Sequence, residues 1–119
     1  MPKKATYFNP DKFVDDVLAA MRLGPVGAPV LMSLREEIEV LLNERIISTV
    51  VGGFGARELS LFERILEDHP ELDEIDALMV IAPEIPGIKD TLERSINSLF
   101  FELAHQARQV EKGMKALTA

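Results

Sequence analysis

Hydrophobic residues in the last third of the chain fall at Ile88, Leu92, Ile96, Leu99, Leu103, Ala107, Val110, Met114 and Leu117, at steps of three and four. This is an α-helical period, because residues about 3.6 apart share one face. It predicts a helix over about 88–117, roughly 45 Å long at ~1.5 Å per residue, longer than a domain of this size is wide. The steps average slightly above 3.6, whereas a heptad seam averages 3.5. The helix therefore reads as the straight spine of a bundle and not as a coiled-coil strand.

Upstream, Asn9 reads as an N-cap followed by Pro10 at the first helical position and Asp11 in the first turn. Phe8 and Phe13 stand at the positions of a hydrophobic staple. A first helix starts there, buries Phe13, Val14, Val17, Leu18 and Met21, and is expected to stop at Gly24-Pro25, the order of a C-terminal glycine and a following proline. Residues 1–8 form an arm, and residues 9–119 form one helical domain.

From about Val30 a second helix gathers Val30, Leu31, Leu34, Ile38, Leu41 and Leu42 on one face. Past Leu42 the pattern breaks. Arg45 falls on the former apolar face, while Ile46, Ile47, Val50 and Val51 project to roughly the opposite side. A kink near 43–45, a continuous helix that packs on another layer or subunit, and a β-strand over 46–51 all fit this reversal. The continuous helix is preferred, since a lone strand has no partner in the chain.

Gly52, Gly53 and Gly55 surround Phe54. They match neither a P-loop nor a dinucleotide fingerprint, and read as helix termination by left-handed glycines. A third helix follows from about Ala56 to Asp68 with Leu59, Phe62, Ile65 and Leu66 inward, stopped by His69-Pro70. Residues 71–87 hold a short fourth helix capped by Asp73, with Leu72, Ile75, Leu78, Met79 and Ile81 available for burial. An acidic segment interleaved with bulky apolar residues is also the pattern of a docking motif, the less favoured reading. The predicted architecture is all-α: a single-domain bundle of four to five helices with the C-terminal helix as spine.

Composition narrows function mostly by exclusion. The 119 residues lack Cys and Trp and carry one Tyr and six Phe, so the core is aliphatic and neither disulfides nor thiolate chemistry are available. The formal net charge is −7, with carboxylates crowded into 58–76. No basic patch of the kind that binds a phosphate backbone stands out, so no nucleic-acid partner is expected. The first residues lack the apolar core of a signal peptide, and no apolar run approaches the ~20 residues that span a bilayer. A cytoplasmic chain with no membrane partner and no cofactor is the expectation.

Candidate chemistry is sparse. There are only two histidines, His69 and His105, and no serine sits in a nucleophile elbow, so no catalytic residues are assigned and the chain reads as a non-enzyme. Glu102-x-x-His105 is the spacing by which di-iron bundles present two ligands from one helix. A helical wheel places Glu102 about 90° and His105 about 150° from the centre of the apolar stripe, and no second such motif exists. They are weak metal candidates, with a metal-dependent bundle enzyme as one alternative reading.

The same wheel puts Phe101 nearly opposite the stripe, among Arg94, Asn97, Ser98, His105 and Arg108. A large aromatic flanked by arginines on a polar face has the composition of an interface anchor. Together with Ile46, Ile47, Val50 and Val51, which call for a second surface, it points to a non-catalytic protein interaction module that forms a homo-oligomer or docks on a protein partner. A structural subunit of a larger shell-like assembly is a second alternative. An apolar-ligand carrier would need a cavity that sequence does not reveal.

Overall fold

The structure is a computed structural model that describes the backbone of residues 8–23 and 25–118 and the side chains up to residue 107. The arm over 1–7, the expected stop at Gly24, and the side chains of Arg108, Val110, Met114 and Leu117 lie outside the described residues. The described residues form five α-helices: α1 Pro10–Met21, α2 Ala28–Gly52, α3 Ala56–Asp68, α4 Glu74–Ile81 and α5 Ile88–Thr118, with a 3-10 turn over Ala82–Glu84. It is an all-α bundle whose longest element is the last helix, as the spacing predicts.

The start of α1 follows its signals. Asn9 Oδ1 accepts the Lys12 N–H at 3.2 Å, Pro10 occupies the first turn, and Phe8 and Phe13 both pack into the core. Its end does not. The helix stops at Met21, and Arg22 takes the left-handed conformation at φ 51°, its N–H reaching the Ala19 carbonyl at 3.3 Å. A residue with a Cβ thus holds a backbone geometry that costs roughly 1–2 kcal/mol without glycine.

α2 is one continuous helix of 25 residues, which removes the strand over 46–51 and a break near 43–45. Its buried residues are Ile38, Leu42, Ile46 and Val50, a constant step of four. At 100° per residue such a line advances about 40° around the helix at each step. What the sequence presents as a reversal is a seam winding steadily round α2. Different neighbours meet it along its length. Asp15 of α1 pairs with Arg35 at 2.8 Å, Glu102 of α5 pairs with Arg45 at 2.6 Å, and Ile85 closes against the Gly53 end.

The core joins Val14 and Val17 of α1, Leu42 and Ile46 of α2, Leu78 of α4 and Leu92, Leu99 and Leu103 of α5. Ile46 and Val50, read from sequence as outward contact residues, are 2% and 0% exposed inside it. That expectation is corrected: α4 and α5 supply their second surface within the same chain.

The glycines between α2 and α3 also end the helix differently from expectation. Gly53 sits at φ −93° and Gly55 at φ −99°, both ordinary for any residue. What Gly53 provides is room, since a Cβ there would lie 3.0 Å from Ile85 Cγ2. The left-handed glycine is instead Gly87, at φ 72° immediately before α5.

α3 has the expected bounds but no fully buried residue. Leu59 is 49% exposed, and Phe62, Ile65 and Leu66 are half-buried, because the helix packs chiefly on the eight-residue α4. In α4, Asp73 Oδ1 accepts the Asp76 N–H at 2.8 Å, and Ala77, Leu78, Met79 and Ile81 are buried. These apolar residues serve the core, which leaves the docking-motif reading without its anchors. The molecule measures 58 × 27 × 19 Å with a radius of gyration of 17.4 Å, above the ~13.5 Å of a compact chain of this length. The 31-residue α5 accounts for the elongation, at about 46 Å.

Candidate protein interface

The two faces of α5 have opposite fates. Ile88, Leu92, Ile96, Leu99 and Leu103 are each no more than 9% exposed, whereas Phe101, on the far side, is 69% exposed. Phe100 is half-buried and packs against the core. Its ring meets that of Phe101 edge-on, with centroids 5.5 Å apart and planes at 82°. One ring of the pair is anchored and the other is presented.

Around Phe101, the side chains of Arg94, Asn97, Ser98 and His105 are exposed. Arg94 bends its Nε–H toward the Asp90 carbonyl at 3.4 Å, a long contact within its own helix. Arg108 belongs to the same face by register, seven residues after Phe101 as Arg94 is seven before.

Glu102 lies on the flank toward α2. Its carboxylate takes Arg45 Nη2–H at 2.6 Å, with the two side chains 49% and 31% exposed. This explains the cation that interrupts the apolar pattern of α2: Arg45 sits at the α2–α5 seam because its partner is across it. The structure therefore engages one of the two weak metal candidates in an ion pair. Among the described residues, no group of three or more His, Asp or Glu side chains surrounds either Glu102 or His105 in a metal-binding arrangement.

α2 carries the second part of the exposed apolar surface. Met32 is 63%, Val40 55%, Leu41 39% and Val51 44% exposed, and Ile47 is half-buried. Ser33, Glu36, Glu37, Val40 and Leu41 line an open, shallow concavity. Among the described residues, Glu36, Glu37 and Glu44 take part in no ion pair. Val30 and Leu41, which the periodicity places on the buried face, are 52% and 39% exposed, and Met32 and Val40 lie off that stripe and are not singled out by it. The signal available was the carboxylates beside them.

Among the described residues no polar or charged side chain is buried, so no desolvated acid or base is held for chemistry. The pKa shifts among the described residues arise away from Phe101, at exposed groups of α1, of the first half of α2 and of the turn after α3. Asp16 raises Lys12 by a hydrogen bond and by its charge, Asp15 raises Arg35 in the same way, and the Glu71 carboxyl is lowered by its own backbone N–H and then by His69. Among the described residues no helix is long and apolar enough to cross a membrane. No known protein family, curated protein or solved structure matches the chain.

Proposed function

We propose that the protein is a non-catalytic interaction module that associates, with itself or with another protein, through the outward face of α5. The observation that carries this reading is Phe101, 69% exposed in the middle of a long helix and held edge-on by Phe100. Large aromatic side chains and arginines are the residue types on which interfaces tend to concentrate their binding energy. Val40, Leu41 and Val51, at 55%, 39% and 44% exposed, extend the apolar surface onto α2, beyond what isolated surface hydrophobes require. The lack of a buried ionisable group among the described residues argues for binding over catalysis.

Sedimentation equilibrium of the wild-type chain and of Phe101→Ala tests it. The wild type is expected to exceed its 13.2 kDa monomer mass as concentration rises from about 1 µM to about 500 µM, and the variant to lag by at least tenfold in concentration. Identical curves for the two chains, together with identical binding to any isolated partner, would remove Phe101 from the function.

A further inference from the structure

Resting on the reading above, we infer that the occupant of the α5 face is the acidic outer face of α2 of a second copy, so that copies join head to tail. The argument begins with charge. Arg94 and Arg108 flank Phe101 by register on a chain whose net charge is −7, with Asp90 on the same line of the helix four residues before Arg94. On α2, Glu37, Val40, Glu44 and Val51 fall within about 60° of one another around the helix. Glu37 and Glu44 are exposed, and Val40 and Val51 are 55% and 44% exposed. One face offers an aromatic anchor between two arginines. The other offers aliphatic ground ringed by carboxylates, with the open concavity over Glu36, Glu37, Val40 and Leu41 beside it.

Symmetry decides between the ways two copies could meet. A two-fold contact pairing Phe101 with Phe101 in antiparallel helices would bring Arg94, seven residues before, against Arg108, seven residues after. That sets like charge against like charge at both ends, which costs binding and counts against an isologous dimer on this face. Pairing α5 with α2 places opposite charges together instead, and no carboxylate of α2 has to leave an existing ion pair: among the described residues Glu36, Glu37 and Glu44 are in none. A head-to-tail contact between two different faces leaves one unused face of each kind on the pair. Growth therefore continues past the dimer into an open chain or a ring.

Charge-reversed full-length chains test this. One carries Arg94→Glu with Arg108→Glu, the other Glu37→Lys with Glu44→Lys, and circular dichroism confirms the helical fold of both. The wild type is expected to pass twice its 13.2 kDa monomer mass without a plateau. Each variant alone should associate at least tenfold more weakly, and an equimolar mixture of the two should recover the wild-type mass distribution. A wild-type dimer that stops at two copies, is lost on Phe101→Ala and is indifferent to Glu37→Lys with Glu44→Lys overturns the head-to-tail contact while leaving the proposed function standing. A wild type monomeric throughout the range overturns both the contact and self-association.

Discussion

Replacing Phe101 with alanine should separate association from folding, and the size of each effect follows from exposure. A phenylalanine side chain offers about 200 Å². At 69% exposure the chain itself covers only about 60 Å², worth about 1.5 kcal/mol at ~25 cal/mol/Å². Alanine returns roughly 0.5 kcal/mol through its better helix propensity. The net loss of folding stability is then about 1 kcal/mol. Covering the remaining ~140 Å² in an interface is worth up to about 3.5 kcal/mol, of which ordering of side chains takes about 1 kcal/mol. The expected weakening is then up to about 2.5 kcal/mol, or roughly seventyfold in dissociation constant.

Leu99 supplies the contrast. It lies two residues away on the same helix, is 4% exposed, and its truncation to alanine should cost about 2.7–5 kcal/mol through lost transfer energy and a residual cavity. Urea denaturation well below the association range reads the stabilities, and sedimentation reads the association. A Phe101→Ala variant as unstable as Leu99→Ala would mean that Phe101 is a folding residue. A self-association constant within about twofold of wild type would mean that no second copy covers its exposed area.

Three further outcomes test the fold. Arg22→Gly should raise stability by up to about 1 kcal/mol, because the left-handed backbone at φ 51° is strained for a residue with a Cβ; thermal or urea unfolding that shows a loss would put the strain elsewhere. Alanine at Arg45, at Glu102 and at both should give a coupling of about 0.5–1 kcal/mol in a double-mutant cycle, the scale of a half-exposed pair, and additive losses would refute their 2.6 Å contact. Asn9→Ala should cost about 1 kcal/mol in the same assay by removing the α1 cap, with no change if Asn9 Oδ1 does not hold the Lys12 N–H.

The elements written in local chemistry were legible in the sequence. The Asn9-Pro10 start of α1, the Asp73 cap of α4 and the bounds of α3 follow from capping and proline rules that act within a turn or two. The i, i+4 stripe of α5 fixes its buried face because one straight seam meets its neighbours. What escaped depends on pairings between elements distant in sequence. The seam of α2 winds through Ile38, Leu42, Ile46 and Val50, and a fixed-face wheel reads such winding as a change of side. Arg45 looked misplaced until Glu102 supplied its partner, 57 residues on. Leu59 looked buried because amphipathicity records what a helix could cover and not what its small neighbour α4 does cover.

The candidate surface divides in the same way. Phe101 was visible as an aromatic on a polar face, an anomaly that needs no tertiary knowledge. Its brace by Phe100 depends on side-chain geometry. The exclusion of Ile46 and Val50 from the surface, and the inclusion of Met32, Val40 and Leu41, depend on which flank of α2 the other helices reach.

The most direct test is a photoreactive benzoylphenylalanine substituted for Phe101 in the otherwise native chain, irradiated as purified protein at about 500 µM, where association is expected. The account predicts an adduct of twice the 13.2 kDa chain mass whose crosslinked peptide maps to α2 between Met32 and Val51. Irradiation that yields only the monomer mass would contradict it.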